Sequence, residues 1–390
     1  MKIPITKPFF GPEEMRAVQL PLESGWVVQG TFVRKFEDMF SGFTGAPFSI
    51  ATTSCTTALH TAVAALGLKP GHEVIVPAFT WVSTPNVVEY MGATPVFCDI
   101  HLDTFNINAE AIEALITPRT VGIIPVHLFG MCSDMDPILK IARKHRLWVI
   151  EDAACAFGAC YYGRHAGTFG EIGCFSFHPR KSITTGEGGM ITTAQSEIDR
   201  VSRSLRDHGA SRTDFERHGT TSAFLLPEFN HLGYNYRMTD IQGALGCAQM
   251  ERAKWILEER TERAHLYDER LRSIEWLELP HVPNGYVHGY QAYVCLFRPA
   301  NPTLKNVEKL HRQRNDLMMR LEEKGIATRQ GTHAPVIQGY YVEKYKLRSE
   351  QFPNAYLADR LSLTLPLYPQ LTEAEQVSVV TELRKTFSEL

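Results

Sequence analysis

The chain has 390 residues, of which 40 are Lys or Arg and 43 are Asp or Glu, so its formal net charge at pH 7 is −3. This near balance provides no overall basic surface, and it argues against nucleic acid or an anionic membrane as the main partner. The length is sufficient for one large domain or two unequal ones.

The eight cysteines are scattered, and no two of them form a Cys-x-x-Cys pair. We therefore expect free thiols in a reducing compartment, and we assign no metal site. The segment from Met1 to Pro8 has no apolar signal core, and no apolar run approaches the roughly 20 residues of a membrane-spanning helix. These features predict a soluble protein of the cytoplasm that does not bind membranes.

The first part of the chain predicts two helices around a turn at Ser24–Gly30, followed by strands that alternate with helices. The strands are predicted at Phe48–Ala51, Glu73–Pro77, Thr94–Asp99, Val121–Phe129 and Leu147–Ala154. This alternation favours right-handed crossovers and a largely parallel sheet.

The later part of the chain predicts more helix than strand. Its predicted elements are a charged helix at Ile198–Arg212, a polar lid-like loop at Thr213–Asn230, a connector helix at Met250–Arg272, a boundary loop at Pro280–Gly289, a strand at Tyr290–Phe297, a helix at Val307–Lys324, a strand at Ile326–Gln330 and a closing helix at Thr372–Leu390.

Two apolar, strand-like pieces flank a polar loop that carries Lys181. The residues Phe175–Phe177 precede the loop and Met190–Ile191 follow it. Burial at such a place lowers the pKa of an ammonium group and frees the neutral amine that attacks carbonyls. The hydroxyl of Ser176 and the glycine-rich turn Gly186–Gly189 add groups that suit a phosphate.

Upstream of this loop, the predicted strand Leu147–Ala154 ends in the two carboxylates Glu151 and Asp152. They lie at the carboxyl end of the strand, where open α/β sheets bind ligands. An aspartate at a strand end, followed by a loop lysine, fits a pyridoxal phosphate (PLP) site, in which the carboxylate keeps the pyridine nitrogen protonated and the amine forms the Schiff base. No Gly-x-Gly-x-x-Gly follows the first strand, which argues against a nicotinamide dehydrogenase.

The segment Thr52–Leu66 begins with hydroxyl side chains and becomes an apolar helix. The amides of its N-terminus and the hydroxyls of Thr56 and Thr57 suit a phosphate, although plain capping of the helix is the alternative. Trp81, just after a strand end, suits either stacking on a flat ring or packing in the core.

Several motifs resemble those of the DegT-type nucleotide-sugar aminotransferases of PLP fold type I, and they occur in the same order along the chain. They are Glu151-Asp-Ala-Ala154, Phe175-Ser-Phe-His-Pro-Arg-Lys181, Thr185-Gly-Glu-Gly-Gly189 and Gly233-Tyr-Asn-Tyr-Arg-Met-Thr-Asp240. The resemblance extends from Ile3 to the C-terminus. It implies an α/β fold with a large PLP-binding domain, residues 1–250, whose mostly parallel sheet of seven strands lies between helices. A connector helix and a smaller C-terminal α/β domain, residues 251–390, are expected to follow.

The resemblance also implies roles for individual residues. Lys181 and Asp152 are expected to be catalytic. The cofactor is expected to contact Thr56, Thr57, Trp81, Asp152, Cys155, Ser176, Lys181 and, from the neighbouring subunit, Asn235. His178, Arg237 and His333 are expected to bind the substrate. From the residue types alone, Asn235 could instead be a turn residue, and His333 could instead be a solvated loop histidine.

Two positions depart from the family pattern. Cys155 occupies a place where the family usually has Gln or His in contact with the cofactor's ring hydroxyl, and a thiol is a weak hydrogen-bond donor. Cys55 occupies a place where the family often has Gly. Tuning of the cofactor is therefore expected to differ in this chain.

The activity implied by the resemblance is PLP-dependent transfer of an amino group from L-glutamate to a nucleotide-linked keto-sugar, expected to be a 4-keto-6-deoxy sugar. The enzyme would be a cytoplasmic homodimer with shared active sites, and it would serve amino-sugar biosynthesis such as that of lipopolysaccharide O-antigen. The resembling keto-sugar dehydratases have His in place of Lys181. A non-catalytic regulatory protein of this fold would be expected to lose Lys181 or Asp152.

Overall fold

A computed structural model describes residues 2–211 and 227–390 of the protein. Residues 213–226 of the predicted lid-like loop lie outside this part of the chain. The strands are β1 (Phe48–Thr52), β2 (Glu73–Pro77), β3 (Thr94–Cys98), β4 (Thr120–Ile123), β5 (Trp148–Asp152), β6 (Cys160–Tyr161), β7 (Arg164–His165), β8 (Ile172–Ser176), β9 (Gly189–Thr193), β10 (Leu277–Glu278), β11 (Tyr286–Val287), β12 (Tyr293–Phe297) and β13 (Ser362–Leu365).

Helices connect most of these strands. They are α1 (Pro12–Ser24), α2 (Thr31–Thr44), α3 (Cys55–Ala65), α4 (Ser83–Tyr90), α5 (Ala109–Ile112), α6 (Met135–His145), α7 (Ser196–Arg206), α8 (Asp240–Glu251), α9 (Ala253–Leu271), α10 (Val307–Glu323), α11 (Gly339–Tyr345), α12 (Pro353–Leu361) and α13 (Glu373–Ser388). None of the helices in the described residues is both long enough and apolar enough to cross a bilayer.

Seven strands form the central sheet in the order β1-β9-β8-β5-β4-β2-β3. Six of them run in one direction, and β9 alone in this sheet runs against its neighbours β1 and β8. The predicted α/β fold with a mostly parallel, seven-stranded sheet is confirmed. Both faces of the sheet are covered: in β2, Val74 and Val76 enter one apolar core and Ile75 enters the other.

A smaller antiparallel sheet, β10-β12-β13, comes from the last third of the chain. The strand predicted at Ile326–Gln330 is wrong, because in that segment only isolated bridges form, from Ile326 to Ile3 and from Arg329 to Thr364. The helix α12 and the strand β13 that follows it were not predicted.

The strand predicted at Val121–Phe129 is too long, since β4 ends at Ile123. Pro125 has no N–H to donate to a neighbouring strand, and Phe129 has a left-handed backbone with φ 57°. Beyond Ile123 the segment stays beside the sheet through an isolated bridge from Val126 to Asp152 and a hydrogen bond from the amide of Ile124 to the carbonyl of Ile75 (2.8 Å).

A buried ion-pair network fixes α2 and α7 to the edge strand β1. One carboxylate oxygen of Glu37 accepts hydrogen bonds from Arg206 (2.7 Å) and from the amide of Ala51 (2.8 Å), and the other accepts one from Arg203 (2.7 Å). Burial raises the pKa of Glu37, but the charges of Arg206 and Arg203 lower it more, so that the pKa lies below its ordinary value of 4.5.

We expect Glu37→Gln to lower the free energy of unfolding by about 3 kcal/mol at pH 7, because it leaves a buried guanidinium without its counter-ion. A carboxylate with a depressed folded-state pKa stabilises the fold above its unfolded pKa, and this contribution is lost as pH falls through the folded pKa. Denaturant melts should therefore show the two proteins converging below about pH 4.5. Glu197→Gln, at an exposed ion pair on α7, is the control, and equal effects of both changes would contradict this account.

Candidate active site

The site is built at the carboxyl end of β5, where two adjacent carboxylates point to opposite faces of the sheet. Glu151 is fully buried, and it accepts hydrogen bonds from the amides of Gly167, Phe169 and Gly170 and from His127. It therefore holds a loop in place. Asp152 faces a cavity instead.

This cavity has a volume of about 370 Å³ and is closed on one side by residues of the last third of the chain, such as Gln291, Arg329 and Thr364. Seven of the predicted site residues line it: Thr56, Trp81, Asp152, Cys155, Ser176, His178 and Lys181. The fold thus brings together residues that are up to 125 positions apart, from Thr56 to Lys181.

Two hydrogen bonds within the chain orient the carboxylate of Asp152. Its Oδ2 accepts a hydrogen bond from the hydroxyl of Thr84 (2.7 Å), and its Oδ1 accepts one from the amide of Ala154 (3.2 Å). Burial raises the pKa of Asp152, although Thr84 and Ala154 oppose this. A cation placed against this carboxylate would lower that pKa again, so the site favours a positively charged ring nitrogen.

Lys181 lies in the loop between β8 and β9, as predicted, and its Nζ donates a hydrogen bond to the Sγ of Cys155 (3.0 Å). The expectation of a lowered pKa was wrong for the protein alone. Burial does lower the pKa of Lys181, but Cys155, Cys55 and Asp152 raise it more, and the net pKa lies above its ordinary value.

Hydroxyl and amide groups gather at another part of the cavity. The hydroxyls of Thr56 and Ser83 lie 2.8 Å apart, and Ser176 also lines the cavity. The amides of Cys55 and Thr56 open the first turn of α3, and neither has a hydrogen-bond partner in the residues that the structure describes. Such a turn is a ready anion site.

The approach of β9 to this turn depends on glycine. A Cβ atom added to Gly189 would lie 2.4 Å from the carbonyl of Ser54.

The cavity contains the groups that PLP needs. Free amides and hydroxyls suit its phosphate, a buried carboxylate suits its ring nitrogen, and a lysine amine suits its aldehyde. The residues present therefore fit this cofactor.

Four predicted residues do not line the cavity. The hydroxyl of Thr57 donates to the carbonyl of Ser54 (2.8 Å) and accepts from its amide (2.9 Å), so Thr57 caps α3 as the alternative interpretation had it. Arg237 pairs with Asp207. His333 lies near the cavity mouth, with its ring centroid 5.7 Å from that of Trp81.

Asn235, the fourth of these residues, is exposed. Its segment is held by backbone hydrogen bonds from Tyr234 to Leu205 (2.7 Å) and from Tyr236 to Arg206 (2.9 Å). A role for Asn235 in this chain's own cavity is not seen, and its predicted reach into a neighbouring subunit stays a prediction.

Sequence reasoning missed two arginines of the cavity wall. Arg180 precedes the lysine, and Arg329 comes from the segment mistaken for a strand. Among the described residues neither guanidinium has a carboxylate within ion-pair distance. Nothing in the local sequence around Arg329 indicated that it faces a site, because its position depends on the packing of distant segments.

Comparison with known proteins decides the family. Residues 9–384 match the model of the DegT/DnrJ/EryC1/StrS aminotransferase family. The chain belongs to this family.

Individual members are similar over the whole chain. The spore coat polysaccharide biosynthesis protein SpsC of Bacillus subtilis is 36% identical over 383 residues, covering 98% of this chain and 96% of SpsC. Helicobacter pylori PseC, an aminotransferase involved in the biosynthesis of pseudoaminic acid, has a TM-score of 0.91 at 26% identity, with 100% of both chains covered. The putative sugar aminotransferase Spr1654 of Streptococcus pneumoniae, solved in PMP and PLP forms, has a TM-score of 0.91 at 27% identity for the PMP form, with 99% of both chains covered.

Membership of the DegT/DnrJ/EryC1/StrS family confirms the predicted cofactor and reaction type. The chain is a PLP-dependent sugar aminotransferase.

Proposed function

We propose that this aminotransferase moves an amino group from L-glutamate to a nucleotide-linked keto-sugar, with a 4-keto-6-deoxy sugar as the acceptor. The observation that carries the proposal is the pair Arg180 and Arg329, two guanidinium groups in the wall of the cavity that holds Lys181, neither of which has a carboxylate partner among the described residues. Both proposed substrates are multiply anionic, since one has two carboxylates and the other a diphosphate. The planar guanidinium group of arginine binds both carboxylates and phosphates through paired hydrogen bonds.

The remaining wall suits a sugar ring. Trp81 is 54% exposed and offers an aromatic face at the mouth, beside the ring of His333, and we propose that this face stacks on the cofactor ring. The side chains of His178 and Glu187 also line the cavity and can exchange hydrogen bonds with hydroxyl groups. We propose His178 and His333 as sugar-binding residues, whereas Arg237 is occupied by Asp207.

The proposed chemistry assigns one task to each central residue. PLP, when bound, supplies a ring that withdraws electrons from the substrate carbon. Asp152, held by Thr84 and Ala154, keeps a proton on the ring nitrogen. Lys181 Nζ holds the cofactor at rest and, once released, removes the proton from the substrate carbon and returns it on the cofactor's side.

The substrate proposal is tested by incubating the holoenzyme and L-glutamate with 3-keto and 4-keto sugars linked to UDP, dTDP or GDP, and by following product masses. We expect an amino sugar from one 4-keto-6-deoxy compound, together with 2-oxoglutarate in equal amount. Lys181→Ala is the control. A deoxygenated sugar in place of an amine, or amine formation only with sugars that lack a nucleotide, would contradict the proposal.

We also propose a homodimer in which Asn235 of one chain helps to hold the phosphate in the other. Large apolar side chains are exposed near Asn235, among them Leu232 (93%) and Phe229 (62%). The amide of Asp240 donates to the carbonyls of Val27 and Val28, so the exposed turn Ser24–Gly30 is attached to the same surface. Exposed apolar patches of this kind mark protein interfaces.

Mixing two impaired variants tests the shared site. We expect Asn235→Ala to bind PLP weakly and Lys181→Ala to be inactive. In a mixed dimer one site receives both defects and the other receives neither, so activity should return to up to about half the wild-type value per mixed dimer. Mass spectrometry of the intact dimers measures subunit exchange. Exchange without recovery of tight PLP binding would show that Asn235 acts in its own chain.

We further propose that residues 1–250 and 251–390 form separate domains in the cytoplasm. In support of the division, every strand of the seven-stranded sheet precedes residue 194, and the sheet β10-β12-β13 begins at residue 277. In support of the compartment, all eight cysteines are free thiols. We propose surface polysaccharides such as lipopolysaccharide O-antigen as the destination of the amino sugar.

A further inference from the structure

The thiol of Cys155 is in a different situation from the other seven cysteines, all of which lie in the described residues. It is partly exposed, it lines the cavity and it contacts the amine of Lys181 at 3.0 Å. Cys55 also lines the cavity but is buried, and burial raises its pKa well above the ordinary value. Cys160 is partly exposed, but it does not line this cavity and burial raises its pKa.

Two cationic side chains lie close to Cys155. Lys181 donates to its sulfur, and Arg329 of the cavity wall is close enough that Cys155 affects the pKa of the guanidinium. Partly exposed cysteines next to cationic side chains are the ones that react with peroxides. The cavity is open to small molecules, so a peroxide can reach the sulfur.

We propose that Cys155 and Lys181 form a sulfur–nitrogen cross-link driven by hydrogen peroxide, which makes this pair a reversible oxidative modification site. In the first step the sulfur attacks peroxide: an S–O bond forms, the O–O bond breaks, sulfur is oxidised to a sulfenic acid and the peroxide is reduced to water. In the second step the ammonium group of Lys181, whose raised pKa keeps it protonated, first gives up one proton to water. The lone pair freed on Nζ then attacks this sulfur: the S–N bond forms, the S–O bond breaks, and the departing hydroxide takes a further proton from nitrogen as a second water. One peroxide is consumed, and the protein loses two hydrogen atoms.

The state of the cofactor controls this reaction, because the Nζ of Lys181 is needed for both purposes. While Lys181 holds PLP, its nitrogen would already be bonded to the cofactor, so no free amine is present to attack sulfur. When the cofactor is in its amine form, Lys181 is free beside Cys155. Oxidation would therefore stop the enzyme only in the half of its cycle in which Lys181 is free, whichever sugar is the substrate. Reduction by two thiol molecules would restore both side chains.

The test treats the holoenzyme with hydrogen peroxide in two forms, one loaded with PLP and one loaded with pyridoxamine phosphate. Peptide mass mapping of the second form should show the Cys155 peptide joined to the Lys181 peptide at a mass about 2 Da below their sum, the two hydrogens lost. Dithiothreitol should separate the peptides, and the PLP form should show little of the product. Cys160→Ser should behave as the wild type, whereas Cys155→Ser should lose the joined peptide.

Three results would overturn the proposal. They are oxidation of Cys155 to sulfinic or sulfonic acid without the joined peptide, absence of any reaction at Cys155, and equal cross-linking in the two cofactor forms. The circular dichroism of Cys155→Ser and its binding of PLP are measured beside these experiments, and they show whether that variant is folded.

Discussion

Lys181→Ala is expected to lower turnover by about a thousandfold to ten-thousandfold, because the variant would lose the amine that we propose moves the proton between the substrate carbon and the cofactor. Steady-state release of 2-oxoglutarate from glutamate measures this loss. Since Lys181 lies in a loop at the cavity wall, the fold should survive the change.

Lys140→Ala is the matched control, since Lys140 is an exposed lysine on α6 that does not line the cavity. It should keep normal turnover. If Lys181→Ala retained more than about a tenth of wild-type turnover with a native melting temperature, another residue would have to move the proton, and the assigned role would be wrong.

Asp152→Asn is expected to retain PLP but to transaminate at least about a hundredfold more slowly, which corresponds to roughly 3 kcal/mol of lost stabilisation of the transition state. An amide is similar in size to the carboxylate and can still accept the hydrogen bond from Thr84, but it cannot keep the ring nitrogen protonated. Turnover and the absorbance spectrum of the bound cofactor measure the two effects separately.

The adjacent carboxylate provides the control for this experiment. Glu151 is as deeply buried as Asp152 but faces the other side of the sheet, where it binds His127 and three amides. Glu151→Gln should lower stability and leave the cofactor spectrum unchanged. A normal turnover in Asp152→Asn, or the same spectral change in both variants, would show that Asp152 has only a structural role.

The sequence was sufficient for the parts of the fold and site that depend on local pattern. β2 is a run of five buried residues, and β5 ends at Asp152, so periodicity and strand ends located both. Lys181 could be singled out because its loop is polar between two apolar strands. These features are local, and they do not depend on how distant segments pack.

The predictions that failed concern features that depend on long-range packing. The contact between Cys155 and Lys181 brings together two loops that local pattern cannot relate, and it reverses the expected direction of the lysine's pKa. Arg329 reaches the cavity only because its segment bridges to Thr364. The capping bonds of Thr57 could be distinguished from phosphate binding only with the geometry of the helix start.

We propose that PLP is bound to Lys181 in the cavity that Asp152 also lines. Reduction of the purified holoenzyme with borohydride, followed by peptide mass mapping, identifies the lysine that carries the cofactor, because reduction fixes the cofactor to the nitrogen that holds it. We expect the pyridoxyl label on the peptide that contains Lys181, and its loss when glutamate is added before the reductant. A label on any other lysine would contradict the account.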